Sequence, residues 1–333
     1  MLLLAFVPPP GDPSLAAGAY GAILGDGWTV VGFRSQEEVP DDVAAAADFV
    51  VAAAGQAVGV HLIRRAPRLR LIQVPGHGFD HIDLEAARAA SLPVATIASS
   101  GAEAHTVAEM TILLAGVASR RILDGDRLVR QGAWGQQGML QQGVFELAGK
   151  TLGLVGFGRI AREVATRGRA FAMRVLYHDP RRLDPATEAD LGVEFRALDA
   201  LLGESDVVSL HLPLTPATRG LIGRRELSLM KPTAVLVNTA RGQLVDTAAL
   251  AAALAEGRLH GAAFDVFAPE PPGPDDPLRT APNVVLSPHM AGVTLDSVLR
   301  VLTAALENCR RVARGEPPRD VIDDELLDLP RQP

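Results

Sequence analysis

Short apolar runs separated by helical patterns recur along most of the chain. In the first hundred residues the runs Leu2 to Phe6, Thr29 to Val31, Phe49 to Ala52, Leu69 to Val74 and Val94 to Ile97 have strand length. Stretches with helical spacing lie between them, for example Asp41 to Ala47 and Asp83 to Ala90. Such alternation predicts a parallel α/β sheet. Around Ser99 to Gly101 the pattern changes. A helix predicted over Ala104 to Ala118 is apolar on most faces, so it must be buried within the protein or against another subunit. Gln131 to Gly143, rich in Gly and Gln and containing Trp134, reads as an exposed arm. The alternation then resumes. Strands are expected at Leu152 to Val155, Arg174 to His178, Val193 to Phe195, Asp206 to Leu210, Ala234 to Asn238, Ala262 to Val266 and Val284 to Leu286. Helices are expected at Arg159 to Arg169, Leu198 to Gly203, Arg224 to Met230 and Asp246 to Glu256, with Asp246 as N-cap. A long helix, about Thr294 to Arg314, closes the pattern.

The length, 333 residues, exceeds one ordinary core, so two domains are expected. The last helix should return to the first domain, and the tail after Gly315 should wrap it. The first domain is then discontinuous, residues 1–99 plus 292–333, with residues 100–291 inserted as the second. Both are expected to be doubly wound parallel α/β sheets. Composition removes other classes. The net charge is −7 and no basic run occurs, which argues against a nucleic-acid partner. Lys stands only at Lys150 and Lys231, which we read as a coding bias. Cys309 is the single cysteine, so no disulfide framework or thiolate metal site can form, as suits a reducing cytoplasm. The N-terminal apolar run lacks a basic flank and is cut by three prolines, a first strand and not a signal peptide. No run reaches the roughly 18 apolar residues of a membrane helix. A soluble, cytoplasmic protein without a membrane partner is expected, and no cluster has metal-ligand spacing.

The stretch Thr151 to Arg162 carries the strongest motif. After the apolar strand come Gly156-Phe157-Gly158-Arg159-Ile160-Ala161, a G-x-G-x-x-A dinucleotide fingerprint. Gly156 allows the tight turn, Gly158 lets a pyrophosphate approach the backbone, and Ala161 lets the helix pack close to the sheet. The helix N–H groups would then face the phosphates. Asp179, about 20 residues on at the end of the next strand, stands where a ribose-binding acid is expected. A structural strand-turn-helix with an incidental acid is the alternative.

Three later strand ends each carry a polar residue: Arg241 after Asn238-Thr239-Ala240, Glu270 after Asp265, and His289 after Ser287-Pro288. An Arg, a Glu and a His at one sheet edge suit hydride transfer to a 2-oxo acid. Arg clamps the carboxylate as a fork. His gives the carbonyl oxygen a proton, and a nearby carboxylate favours the charged form of that His.

With these residues the chain resembles the D-isomer-specific 2-hydroxyacid dehydrogenases, which include glyoxylate/hydroxypyruvate reductases and phosphoglycerate dehydrogenases. The matching stretches run from Gly76-His77-Gly78-Phe79-Asp80 through Val107-Ala108-Glu109, the fingerprint, HLPLTPATRGLIG from His211, VNTARGQLVD from Val237 and FDVFAPEPP from Phe264 to VVLSPH from Val284. The resemblance implies a Rossmann nucleotide domain inserted into a flavodoxin-like substrate domain. It implies that Arg241 binds the substrate carboxylate, that His289 is the acid/base and that Glu270 pairs with it. It also implies that Gly156, Gly158, Arg159, Ile160, Asp179, His211, Thr239, Ala240 and Asp265 line an NAD cofactor, with Asp265 near the nicotinamide carboxamide. Gly76, His77 and Gly78 are implied to reach the substrate. Asp179 predicts NADH over NADPH, with Arg181 and Arg182 able to soften the preference. A homodimer centred on the Ala104 to Ala118 helix is expected.

The chain departs from the family pattern at two places. Ser100-Gly101-Ala102-Glu103 stands where members commonly carry a turn with Asn, and His77 stands where many have a small apolar residue. His77 either contacts a polar group of the substrate or turns outward to solvent. The identity of the 2-oxo acid is therefore open. Glu270 argues against the formate dehydrogenase branch, which pairs its His with Gln. Two alternatives share the fold: an NAD(H)-sensing protein like the transcriptional corepressors, and a phosphite-type dehydrogenase.

Overall fold

The apolar runs pair into two parallel sheets, each in its own unit of the chain. The structure, a computed structural model, describes residues 1–8 and 11–322. One unit comprises Met1–Glu103 with the described residues from Thr294 on, and the other comprises Ala104–Val293. The divisions fall a few residues beyond 99/100 and 291/292. Ser100 still donates to Ile97 O, and Thr294 already caps the last helix by accepting from the Ser297 N–H at 3.0 Å.

The first unit contains β1 (Leu2–Phe6), α1 (Pro13–Leu24), β2 (Thr29–Phe33), α2 (Asp41–Ala46), β3 (Phe49–Ala52), α3 (Val60–Arg65), β4 (Leu71–Gln73), α4 (Leu84–Ala89) and β5 (Val94–Ala95). Its strand order among the described residues is β2-β1-β3-β4-β5, every pairing parallel, the flavodoxin-like winding. Successive strand residues face opposite sides, and both sides are covered. Leu4, Val50 and Ile72 enter one core, and Leu3, Phe49 and Leu71 the other.

The second unit opens with α5 (Ala104–Ser119), α6 (Ile122–Arg130) and α7 (Gln136–Gln141). It continues with β6 (Thr151–Val155), α8 (Arg159–Ala170), β7 (Arg174–His178), α9 (Pro185–Leu191), β8 (Glu194–Phe195), α10 (Leu198–Glu204) and β9 (Val207–Leu210). Then follow α11 (Arg224–Leu229), β10 (Val235–Asn238), α12 (Thr247–Ala255), β11 (Gly261–Phe264) and β12 (Val284–Leu286). The order is β12-β11-β10-β9-β6-β7-β8, again all parallel. The winding reverses between β6 and β9, which opens a crevice at their carboxyl ends.

The helix α13 (Leu295–Ala313) returns to the first unit, where Leu306, Cys309 and Val312 join the core against Leu3 and Leu71. The chain beyond it lies along β5: Asp320 O accepts from Thr96 N, and Ile322 N donates to Val94 O. The remainder of the expected wrap, residues 323–333, lies outside the described residues. Helices α1 and α9, which the apolar pattern does not single out, each start at an Asp-Pro step. Asp12 caps Ser14 N at 2.8 Å and Asp184 caps Thr187 N at 3.0 Å, each with Pro in the first turn.

Of the two burials open to α5, within the protein or against another subunit, the structure shows the first. Ala108, Ile112, Ala115 and Ala118 pack with Ala161 and Val164 of α8 and with Val237 and Ala263 of the sheet. Its apolar surface is largely used up inside the unit. Leu113 of α5 is exposed, and the following arm carries a group of exposed apolar side chains at Ile122, Leu123, Val129, Trp134 and Leu140, with Trp134 85% exposed. No helix among the described residues is long and apolar enough to cross a membrane.

Candidate functional site

The fingerprint turn is held from three sides. Gly156 leaves β6 at φ +86°, and a Cβ there would lie 2.6 Å from His211 O, so only glycine fits this approach. Its N–H donates to His178 O at 2.8 Å. Asp179 ties the next strand to the same turn: Oδ2 accepts from Phe157 N at 2.8 Å and Oδ1 from Arg181 N at 2.9 Å. Gly158 caps the twelve-residue α8 with no side-chain acceptor for the first N–H groups, and a Cβ on it would meet nothing within 4 Å. Gly158 and Arg159 are exposed and Ile160 is half-buried, while Ala161 is fully buried against the sheet. An open, unspent helix N-terminus with a carboxylate on the neighbouring strand fits a dinucleotide.

His211 crosses from β9 beside this turn, its N–H on Val155 O at 2.8 Å. Its ring contacts Ser209 Oγ at 3.0 Å, and burial pushes its pKa down to about 3. The ring is therefore neutral at ordinary pH, and the backbone is what it brings to the crevice.

The loop after β10 is shaped by Asn238, a fully buried residue the sequence reading did not assign. Its Oδ1 accepts from Ala240 N at 3.0 Å and its Nδ2 donates to Arg241 O at 2.8 Å. This folds Thr239, Ala240 and Arg241 into a side-chain-closed turn. Thr239 Oγ1 meets Thr111 Oγ1 of α5 at 3.1 Å, and Arg241 Nη1 donates to Ala240 O at 2.7 Å. Gly242 then lies against Phe267, so close that a Cβ would sit 2.3 Å from the Phe267 carbonyl carbon. The Arg241 loop is thus pressed onto the stretch that carries Glu270.

Glu270 and His289 meet directly, Nδ1 to Oε2 at 2.6 Å, while Glu270 Oε1 accepts from Phe267 N at 2.9 Å. Burial disfavours the Glu270 charge, but the bonds from His289 and Phe267 and the charges of His289 and Arg241 outweigh it, and the carboxyl titrates below the ordinary range. His289 has φ +54°, a left-handed conformation that costs a non-glycine residue roughly 1–2 kcal/mol. Asp265 holds it there. Its carbonyl accepts from His289 N at 2.7 Å, and its fully buried carboxylate accepts from Met290 N and Ala291 N, both at 2.8 Å. The residue expected near a carboxamide is thereby also the brace of the His289 loop, a role with no signal in the local sequence.

In the first unit, Gly76-His77-Gly78 follow β4 as expected. His77 does not turn outward. Its Nδ1 contacts Glu103 Oε1, and its Nε2 is buried without a hydrogen-bond partner. Glu103, left without a role by the sequence reading, is the partner. The other histidines have structural contacts: His178 Nδ1 on Arg196 O at 3.1 Å, and His260 edge-on to Phe145. No group of three or more His, Cys, Asp or Glu among the described residues could hold a metal.

The chain is similar to several known proteins. Residues 112–291 match the family model described as D-isomer specific 2-hydroxyacid dehydrogenase, NAD binding domain. A glyoxylate reductase from Aeropyrum pernix is 46% identical over 277 residues, 82% of this chain and 81% of that one. Among solved structures, D-lactate dehydrogenase from Aquifex aeolicus, complexed with NAD and lactic acid, is 30% identical with a TM-score of 0.82, covering 95% of this chain and 96% of that one. An acyclic imino acid reductase in complex with NADPH and D-Arg is 27% identical with a TM-score of 0.83, covering 97% of this chain and all of that one.

Proposed function

The chain belongs to the D-isomer specific 2-hydroxyacid dehydrogenase family, and on that premise we propose a residue-level account of its chemistry. It is an NAD-dependent enzyme interconverting 2-oxo acids and 2-hydroxy acids. Glyoxylate is the first substrate to try, since relatives from Aeropyrum pernix and Korarchaeum cryptofilum are named glyoxylate reductases.

His289 is the acid/base. The 2.6 Å contact of its Nδ1 with Glu270 carries this reading, because it fixes the tautomer and leaves Nε2 to exchange a proton with the substrate oxygen. In reduction Nε2 gives the carbonyl oxygen a proton, and in oxidation it takes the hydroxyl proton. Glu270 favours the cationic ring. Asp265 positions His289 through the backbone. Arg241 holds the carboxylate, and Gly76, His77 and Gly78 contact the acid. When bound, NAD(H) supplies or accepts the hydride. Gly156, Gly158, Arg159 and Ile160 would hold its phosphates, Asp179 its ribose, and His211, Thr239, Ala240 and Asp265 the rest. Asp179 gives a preference for NADH, since a 2′-phosphate would meet its charge.

The test is NADH oxidation with a panel of 2-oxo acids, comparing wild type with His289→Ala. Turnover that survives the substitution unchanged would remove His289 from the mechanism. We also propose a homodimer, seated on the apolar arm of α6 and α7 and not on α5. A monomeric mass by light scattering at micromolar protein would refute it.

A further inference from the structure

The loop after β7 contains a second layer of control over the nucleotide. It holds two arginines within three residues of Asp179, and an arginine near the ribose acid is what a 2′-phosphate requires. Yet Arg182 is already engaged. Its Nε donates to Glu188 Oε1 at 2.9 Å and its Nη2 to Oε2 at 3.1 Å, a fork-to-fork pair with α9. Its guanidinium also stacks over the Phe195 ring, 5.1 Å from the centroid. Glu188 is itself fixed from below: the phenol of Tyr177, fully buried in β7, donates to Oε1 at 2.7 Å and accepts from Leu183 N at 2.9 Å. The Arg181 amide is spent on Asp179.

We propose that Glu188 is a positioning residue for cofactor choice: by occupying the Arg182 guanidinium it denies a 2′-phosphate the cation that would otherwise receive it. The inference rests on the nucleotide reading of this loop. The side chain of Arg182 is 57% exposed, so a phosphate would find the guanidinium accessible. Its charge is already matched, however, and two of its five N–H donors are used. Asp179 then acts as the first barrier to NADPH, and the Glu188 latch as the second. The expectation that Arg182 softens the NADH preference is replaced by this reading.

The experiment titrates the full-length protein by calorimetry with 5′-AMP and with adenosine 2′,5′-bisphosphate. Glu188→Gln keeps an oxygen for the Tyr177 phenol and discharges the latch. Affinity for the bisphosphate relative to 5′-AMP should rise about five- to tenfold, the gain expected from one charge-assisted contact in competition with water. Affinity for 5′-AMP should stay within about twofold. The kcat/KM ratio of NADPH to NADH should rise in parallel. Arg182→Ala added to Glu188→Gln should return both ratios to the wild-type values. A folded Glu188→Gln protein with an unchanged ratio, or a gain that survives loss of Arg182, overturns the proposal. Should Glu188→Gln unfold, Glu188→Asp is read in the same way, with a smaller rise expected. Failure of 5′-AMP to bind the wild type would instead overturn the nucleotide reading of the loop.

Discussion

Three histidines among the described residues meet a glutamate through Nδ1: the exposed His105 with Glu163, and, in loops that follow strands, His289 with Glu270 and His77 with Glu103. The chemistry of each pair is the same on paper, and the surroundings make them different. The His289 pair is open: both side chains are 33% exposed, and Arg241 adds a second charge within electrostatic range of the carboxylate. The His77 pair is more enclosed, at 26% and 15%, and its Nε2 is buried without a partner. An accessible imidazole nitrogen backed by a carboxylate can exchange protons with a substrate. A buried nitrogen without a partner is a cost unless something arrives to satisfy it. On the proposed assignment, the comparison separates a pair placed for acid/base work from one suited to recognition.

The sharpest way to break the comparison is to remove each ring. His289→Ala should lower kcat by on the order of 10²–10⁴, the usual range for a general acid/base, with NADH binding retained. His77→Ala should not approach that loss. Equal losses in steady-state assays would erase the distinction between the two pairs.

Next in size is the brace. Asp265→Ala removes two buried bonds to a carboxylate and leaves the Met290 and Ala291 N–H groups unsatisfied. At about 1.5 kcal/mol or more for each, the unit should lose roughly 3 kcal/mol of stability. Activity should fall further than occupancy of the folded state explains, because the left-handed His289 loses its support. A melting curve beside kcat on the folded fraction checks this. The His77 stretch is tethered more lightly, by Glu103 at Nδ1 and by Ile97 N, which donates to Gly76 O at 3.2 Å.

What the sequence reveals of each region follows from the range of the interactions. Most strands could be anticipated because they are apolar runs, whereas their winding followed only from the family resemblance, and β8, the pair Glu194–Phe195, is no apolar run. Arg241, Glu270 and His289 could be found because each follows directly on a strand end or its loop. Asn238, Asp265 and Glu188 could not be assigned their contacts, since each bonds partners brought close by the fold and none disturbs a local period. Asp265 and Ala291 are 26 residues apart, and His77 and Glu103 likewise. The partner of α5 stayed open for a related reason: uniform apolarity reports burial and is silent on what does the burying.

Third in size is Glu270→Gln, which should cost about tenfold in kcat, because His289 Nδ1 loses the carboxylate that fixes its tautomer, and should also change the acid stability. The carboxyl of Glu270 lies below its ordinary value of 4.5 in the folded protein. Its contribution to stability is therefore complete above that value and is lost as pH falls through the lower folded one. Acid unfolding of the Gln variant should lack that component. An unchanged kcat in the variant would show that the pairing does not govern the proton.

The smallest effect, and the one that most sharpens the comparison, belongs to His77. With Nδ1 committed to Glu103, Nε2 is the only ring nitrogen left to read a ligand. A 2-oxo acid with a hydroxyl or a second carboxylate would supply the missing partner, whereas glyoxylate has no further group to offer. His77→Val should therefore leave glyoxylate reduction within about twofold and weaken hydroxypyruvate or a dicarboxylic 2-oxo acid selectively. One hydrogen bond of this kind is worth about 1 kcal/mol, roughly fivefold, in kcat/KM. Glu103→Gln should produce a smaller selective loss, because the ring keeps its place but loses the charge that orients it. Equal changes for all acids, or none, would mean that the buried nitrogen serves the loop and not the substrate, and the His77 pair would then be purely structural.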